Sequence, residues 1–282
     1  MSDDAPESLR DTASTIARAA GKLLAERFTS TRTVEYKGGI DLVTDADKAS
    51  EALILSALRE RHPDHAILSE EAGFSPGEGL RWIVDPLDGT TNYAHQIPHF
   101  CVSIGVEDSE GVLAGAIYDP MLDELYSAAR GQGATLNGNP IHPSAAASFQ
   151  HALLCTGFPY NIHQHPDGPL GLLKRFLQKA QGIRRMGSAA LDLAYVAAGR
   201  LDGFFEFGLK PWDTAAGGLL VLEAGGSMRL INGRSWDVAI GDVVAAAPGM
   251  TALLEAECAA FMRELPPRTT SPDGQLPVPG SR

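Results

Sequence analysis

Trp82-Ile83-Val84-Asp85-Pro86-Leu87-Asp88-Gly89-Thr90-Thr91-Asn92 decides how this chain is read. Trp82–Val84 has the character of a short buried strand. At Asp85 that character changes. Two carboxylates follow with only Pro86 and Leu87 between them, then Gly-Thr-Thr-Asn, a sequence suited to a turn opening onto a helix N-terminus. Buried strands often end in turns, but seldom with two acids at the mouth.

On the N-terminal side, Leu9, Ala13, Ile16, Ala17, Ala20, Leu23 and Leu24 recur at helical spacing and predict an amphipathic helix over Glu7–Phe28. Val34–Lys37 reads as a strand stopped by Gly38-Gly39. Thr44 or Asp45 is the expected N-cap of a second helix, with Leu53, Ile54, Ala57 and Leu58 on its buried face. Ala66–Leu68 predicts a strand ending at Ser69-Glu70-Glu71, before an exposed loop through 74–79. On the C-terminal side, Cys101–Val106, Val112–Tyr118, Glu124–Ala128 and Ala134–Leu136 predict an antiparallel meander. Strands at Ala152–Thr156, Asp202–Phe207, Met228–Ile231 and Val243–Ala246 then alternate with helices at Leu170–Ala180, Ala189–Ala198, Thr214–Leu222 and Thr251–Leu265. A meander is thus followed by an alternation of strands and helices. Residues 266–282, rich in Pro, Ser, Thr and Gly, read as a disordered tail.

The chain of 282 residues is long enough to bury a core without staples, and its 44% hydrophobic and 21% charged residues are ordinary for a globular protein. Its net charge of −12 opposes nonspecific nucleic-acid binding, and an anion site would need local cations. Three scattered cysteines form no disulfide framework, and the acidic N-terminus lacks a secretory pattern. A cytoplasmic location without membrane contact is expected.

Four acids stand at strand or loop ends: Glu70, Asp85, Asp88 and Asp213. Singly, each has a plain structural role available, Asp213 as a helix N-cap, Asp88 as a turn acid and Glu70 as a solvated loop residue. Together they make a different case. Asp85, Asp88 and the Leu87 carbonyl offer hard oxygen ligands from one turn, suited to Mg²⁺ or Mn²⁺, with no Cys or His beside them to favour zinc. Cations there would relieve the repulsion among the carboxylates and turn the cleft into an anion site. The Gly89-Thr90-Thr91 backbone would then cradle a phosphate. No other phosphate-loop or nucleophile-elbow motif is present.

At this point the residues match a known pattern. Asp85-Pro86-Leu87-Asp88-Gly89-Thr90-Thr91-Asn92 resembles the first signature of the inositol monophosphatase family. Trp212-Asp213-Thr214-Ala215-Ala216-Gly217, running on to Glu223-Ala224-Gly225-Gly226, resembles the second. Ser69-Glu70-Glu71 and Asp41-Leu42-Val43-Thr44-x-x-Asp47 match its N-terminal motifs, and Arg185–Tyr195 is similar to the bacterial SuhB-like branch. The resemblance spans roughly Glu7 to Leu265. It implies a layered αβαβα sandwich of the inositol monophosphatase and fructose-1,6-bisphosphatase type, in one catalytic domain over 1–265 with a mixed α+β half (7–145) and an α/β half (146–265).

It also implies a first Mg²⁺ held by Glu70, Asp85 and the Leu87 carbonyl, a second at Asp85, Asp88 and Asp213, and a weaker third near Glu70. Thr90 and Asp47 are assigned to orienting and activating the attacking water. Asp88, Gly89, Thr90, Gly187, Ser188, Ala189, Glu206 and Asp213 are assigned to substrate contacts, and Lys37 to supporting the metal cluster. The implied activity is Mg²⁺-dependent hydrolysis of inositol 1-phosphate by metal-activated water, without a phosphoenzyme, in a lithium-sensitive homodimer. A small phosphorylated polyol is the expected substrate. Fructose 1,6-bisphosphate, histidinol phosphate, a nucleotide 3′-phosphate and NADP are the competing substrates, and bisphosphates are disfavoured because no basic cluster stands near the motifs. A regulatory role with a protein or RNA partner is the alternative from another class.

Overall fold

The computed structural model describes residues 4–29, 34–36 and 42–265. Lys37 and the Pro-rich stretch 266–282 lie outside the described residues. The first half runs α1 (Pro6–Phe28), β1 (Val34–Tyr36), β2 (Leu42–Thr44), α2 (Asp45–Arg61), β3 (Ala66–Ser69), β4 (Gly73–Ser75), β5 (Arg81–Asp88) and α3 (Thr90–Ala94). The meander follows as β6 (Cys101–Asp108), β7 (Gly111–Asp119), β8 (Glu124–Ala129), β9 (Ala134–Leu136) and β10 (Asn139–Pro140). The second half runs β11 (Leu153–Thr156), α4 (Asp167–Leu177), β12 (Gly182–Arg184), α5 (Ala189–Ala197), β13 (Gly203–Glu206), α6 (Pro211–Glu223), β14 (Ser227–Leu230), β15 (Val243–Ala246) and α7 (Thr251–Glu264).

These elements build two mixed sheets with helices on their outer faces and between them. The larger sheet has the order β10-β9-β8-β7-β6-β5-β3-β4, and the smaller β12-β11-β13-β15-β14. Parallel pairing is confined to β3–β5 in the first and to β12–β11–β13 in the second. Three apolar layers hold the stack. One lies under α1 and α2, including Leu9, Ile16, Leu24, Ile54, Trp82 and Val84. One lies between the sheets around α5 and α6, and one lies under α4 and α7, including Phe176, Phe205 and Leu254. The order is α/β/α/β/α, as expected.

Two local expectations shift. Residues 74–79, read as a loop, begin inside β4, which pairs antiparallel with β3 at the sheet edge. The short segment Gly73-Phe74-Ser75 gains strand conformation there by ladder bonds that its own sequence does not announce. The strand at Trp82–Val84 also continues through Asp88, carrying both acids within it.

The central layer explains the small residues of the second signature. A Cβ on Gly115 would lie 3.0 Å from Ala216 Cα, and one on Gly105 would lie 3.0 Å from Ala215 Cβ. On the far side, a Cβ on Gly217 would meet Leu193 of α5 at 2.7 Å. Helix α6 is therefore wedged between sheet and helix at a spacing that only Ala and Gly permit. Gly115→Val should lower stability by about 1–3 kcal/mol through overpacking, a fall of roughly 3–10 °C in Tm for a chain of this size. A thermal melt with unchanged Tm would show that α6 does not press on β7.

Candidate metal centre and cleft

Strand β5 brings the acids together through an irregularity. Asp85 pairs with Ser103 and Asp88 with Cys101, so three steps along β5 match two along β6. In a regular strand, residues three apart face opposite sides. The extra residue returns Asp88 to the side of Asp85, and Pro86, unable to join the ladder, sits in the irregular segment. The bend is tied down by Ser50 Oγ donating to the Pro86 carbonyl at 2.7 Å and by Leu87 N donating to Asp85 Oδ1 at 3.0 Å.

The third acid arrives from α6. Pro211 occupies its first turn, and Lys210 N donates to Asp213 Oδ2 at 2.6 Å, so Asp213 is the third helical residue and not the N-cap. Ser103 Oγ, opposite Asp85, donates to the Trp212 carbonyl at 3.3 Å and anchors the helix start to β6. Ligand oxygens from Asp85, Asp88 and Asp213 lie within 4.8 Å of one another. Glu70 follows β3, where its N–H donates to the Val84 carbonyl at 3.1 Å, beside the end of β5.

Burial and mutual repulsion set the electrostatics. Asp85 is 2% exposed, and burial followed by the charges of Glu70, Asp88 and Asp213 pushes its pKa well above the usual carboxylate range. Burial and Asp88 do the same to Asp213. Asp88 is raised by burial, although bonds from Ser188 and from the backbone at 189–190 oppose the shift. A hard divalent cation fits this donor set, since several carboxylates converge where water cannot screen them. The Leu87 carbonyl adds a neutral oxygen.

Beside the acids runs a hydroxyl relay. Thr44 caps α2, accepting from Ala46 N and Asp47 N, and its own N–H and hydroxyl return to Asp47 Oδ2 at 2.8 and 2.5 Å. That reciprocal cap leaves Asp47 Oδ1 directed at Thr90 Oγ1, 3.0 Å away, which also lies 2.9 Å from the Leu87 carbonyl. Asp47 is wholly buried, and burial raises its pKa against these bonds. Gly89 has φ 96°, and a Cβ there would lie 3.0 Å from the His99 carbonyl, so no larger residue fits the turn.

The second sheet closes the cleft. Glu206, at the end of β13, is buried against Gly157, where any Cβ would collide with its carboxylate. Ser188 is 1% exposed; its hydroxyl and Ala190 N both donate to Asp88 Oδ2 at 2.7 Å, so that hydroxyl is engaged inside the site. Gly187 closes against the motif, its carbonyl 3.3 Å from a Cβ built on Gly89. Every expected site residue except Lys37, which lies outside the described residues, falls on or beside this cleft.

Three residues in it lie within the quoted motifs but were given no role by the sequence. Asn92 Nδ2 bonds the His99 and Met186 carbonyls, both at 2.8 Å, and staples the loop before α5 to the motif. Asp192, 1% exposed on α5, has a buried Oδ1 without a hydrogen-bond partner. Arg185 stands close to Gly187, a single cation and not a basic cluster. Their chemistry depends on a fold that brings strand and helix ends together.

A second group of donors, Asp4, His62 and His65, also converges within 4.8 Å. Trp82 Nε1–H donates to His65 Nδ1 at 3.1 Å, which leaves the neutral ring's proton on Nε2, facing Asp4 at 3.3 Å. That tautomer suits a tether for the N-terminal segment and opposes metal binding.

With this geometry in place, the comparisons decide the lineage. The sequence profile of the inositol monophosphatase family matches residues 5–263. This chain belongs to that family. It is 45% identical over 236 residues to the Nus factor SuhB of Escherichia coli K12, covering 82% of this chain and 88% of that protein. The crystal structure of the extragenic suppressor protein SuhB from Bartonella henselae superposes with a TM-score of 0.84 at 38% identity, covering 89% of this chain and 98% of that one. The inositol monophosphatase from Anabaena superposes at 0.80 with 40% identity, covering 93% and 98%. The layered α/β fold is that of these proteins, and the acidic cluster lies in a phosphatase framework. Among the described residues no helix is long and apolar enough to cross a membrane.

The raised carboxyl values carry a sign. A group whose folded pKa exceeds its unfolded value stabilises most at low pH and loses that contribution as pH rises through the folded value. Metal-free protein should therefore lose stability from this cluster as pH rises from about 4 toward neutrality, and a divalent cation should flatten the slope. At neutral pH, Mg²⁺ at ~100-fold over its Kd should add about 2.7 kcal/mol, or roughly 5–10 °C in Tm. A melt of Asp213→Asn should show a smaller Mg²⁺ shift than wild type; equal shifts would remove Asp213 from the ligand set.

Proposed function

We propose that this protein is a Mg²⁺-dependent phosphatase of small phosphate monoesters, with inositol 1-phosphate as its substrate. The carrying observation is the convergence of Asp85, Asp88 and Asp213 beside the Thr90–Asp47 relay. In this reading Glu70, Asp85 and the Leu87 carbonyl hold a first ion, and Asp85, Asp88 and Asp213 a second, with a weaker third near Glu70. When bound, the ions acidify water and stabilise charge on the phosphoryl oxygens and the leaving alkoxide.

The chain's own groups do the rest. Thr90 Oγ1 holds the attacking water, and Asp47, pushed toward a basic pKa by burial, accepts its proton through that hydroxyl. Backbone N–H groups from Gly89 onward cradle the phosphate. The water oxygen forms the new P–O bond, the ester P–O bond breaks in line, the leaving alkoxide takes a proton from solvent water, and Asp47 returns the proton it accepted to solvent. No side-chain nucleophile takes part. Gly187, Ala189 and Glu206 face the alcohol, with Glu206 accepting from its hydroxyls, while Ser188 acts through Asp88. Lys37 is proposed to steady the cluster. Lithium sensitivity, a homodimer and a cytoplasmic location complete the reading by likeness to the family. That the SuhB relatives are Nus factors supports a second, regulatory role with a protein or RNA partner that coexists with catalysis.

Phosphate release should be fastest on inositol 1-phosphate in a panel with fructose 1,6-bisphosphate, histidinol phosphate, a nucleotide 3′-phosphate and NADP, and EDTA should abolish it. A competitor about tenfold better would overturn the substrate assignment. Asp47→Asn should lower kcat by about 10²–10⁴ while keeping the Mg²⁺ shift in Tm. If Asp88→Asn stops hydrolysis yet leaves the cellular phenotype intact, the regulatory role stands apart from the chemistry.

A further inference from the structure

Helix α5 does without the cap that its own sequence offers. Ser188 is its N-cap residue, and the Ser188 carbonyl accepts the first helical bond, from Asp192 N at 3.0 Å. A serine at that position ordinarily accepts from the second or third helical N–H. Here the side chain makes no cap bond, and the hydroxyl donates away from the helix, to Asp88 Oδ2 at 2.7 Å. The same Asp88 oxygen accepts from Ala190 N, the second residue of the helix, also at 2.7 Å. A carboxylate from β5 therefore caps α5 in place of the serine.

A thiol completes the arrangement. Cys101 pairs with Asp88 across β5 and β6 and is wholly buried. Its Sγ lies 3.8 Å from Asp88 Oδ2 and 3.6 Å from Ser188 Oγ. The Ser188 hydrogen is engaged by Asp88, so the thiol hydrogen is the one shared between those two oxygens. Oδ2 thus collects a hydroxyl, a backbone N–H and a thiol, and these donors leave Oδ1 untouched. Asp85 and Asp213 are held more simply, by Leu87 N and Lys210 N from their own stretches of chain. Each donor on Asp88 favours the ionised carboxylate and opposes its turning. For a carboxylate that ligates a cation, such outer bonds decide which oxygen is presented and how firmly.

We propose that Ser188 and Cys101 are positioning residues for the cation site: with Ala190 N they hold Asp88 Oδ2 and so present Oδ1 as the ligand. This rests on the phosphatase reading above and deepens it. Ser188 falls in a segment assigned to substrate contacts by family resemblance, but its single hydroxyl hydrogen is on Asp88. Neither residue takes part in the bonds made or broken at phosphorus.

The test is a Mg²⁺ titration followed by thermal melts of full-length wild type, Ser188→Ala, Ser188→Thr and Cys101→Ser, with steady-state kinetics on inositol 1-phosphate at saturating Mg²⁺. Mg²⁺ affinity, read from the rise of Tm with concentration, should fall about 10–100-fold in Ser188→Ala. Ser188→Thr keeps the hydroxyl and should stay within about threefold of wild type. Cys101→Ser puts a stronger donor in the same place and should tighten Mg²⁺ by about threefold, which carries the test should Ser188→Ala fail to fold. At saturating Mg²⁺, Ser188→Ala should keep the wild-type KM, whereas a serine that gripped the substrate would raise it. Mg²⁺ affinities of Ser188→Ala and Cys101→Ser within about twofold of wild type, or a raised KM at saturating Mg²⁺, overturn the proposal. A wild type without any Mg²⁺ shift overturns the metal reading and this proposal with it. Shifts that differ as expected in a protein that hydrolyses no ester support the positioning role and overturn the phosphatase reading alone.

Discussion

Carboxylates converging in a poorly solvated cleft are a standing repulsion, and much of this fold serves to hold them against it. Asp85, Asp88 and Asp213 come from two elements and are pressed close together, with Glu70 alongside. Side chains free to move would separate. Here each is tethered: Asp85 by Leu87 N, Asp88 by Ser188 and Ala190, and Asp213 by Lys210 N. A divalent cation would relieve that repulsion, so the same arrangement that costs stability without a metal suits the cluster to bind one.

Two backbone devices make the convergence reachable. The irregularity in β5 turns the third residue back to the same face, and the small residues of α6 let a helix approach the sheet closely enough to deliver Asp213. Neither is chemistry in itself. Both are backbone geometry purchased with Pro, Gly and Ala at places where bulk is forbidden.

Local folding and the proposed chemistry share atoms. The reciprocal cap of α2 by Thr44 and Asp47 ends the strand and starts the helix, and it also aims the remaining Asp47 oxygen at Thr90. Asn92 likewise closes the end of the motif while fixing the loop that carries Arg185 and Gly187. Losing either residue would thus disturb the framework and the cleft at once.

The sequence alone determined a good deal. Periodicity placed the amphipathic helices and the meander, because 3.6-residue and two-residue patterns are local. The acids at element ends, and the paired signatures, pointed to a hard-cation site. Tertiary structure decided the rest. It ran the strand on through Asp88, paired β4 at an edge, and made Asp213 a third helical residue instead of a cap. It also revealed Arg185 and Asp192 at the cleft, far along the chain from the motif they face. Their roles escape a linear reading because registry between strands and the approach of one helix to a sheet are set by packing across hundreds of residues. No window of neighbours records which ends will meet.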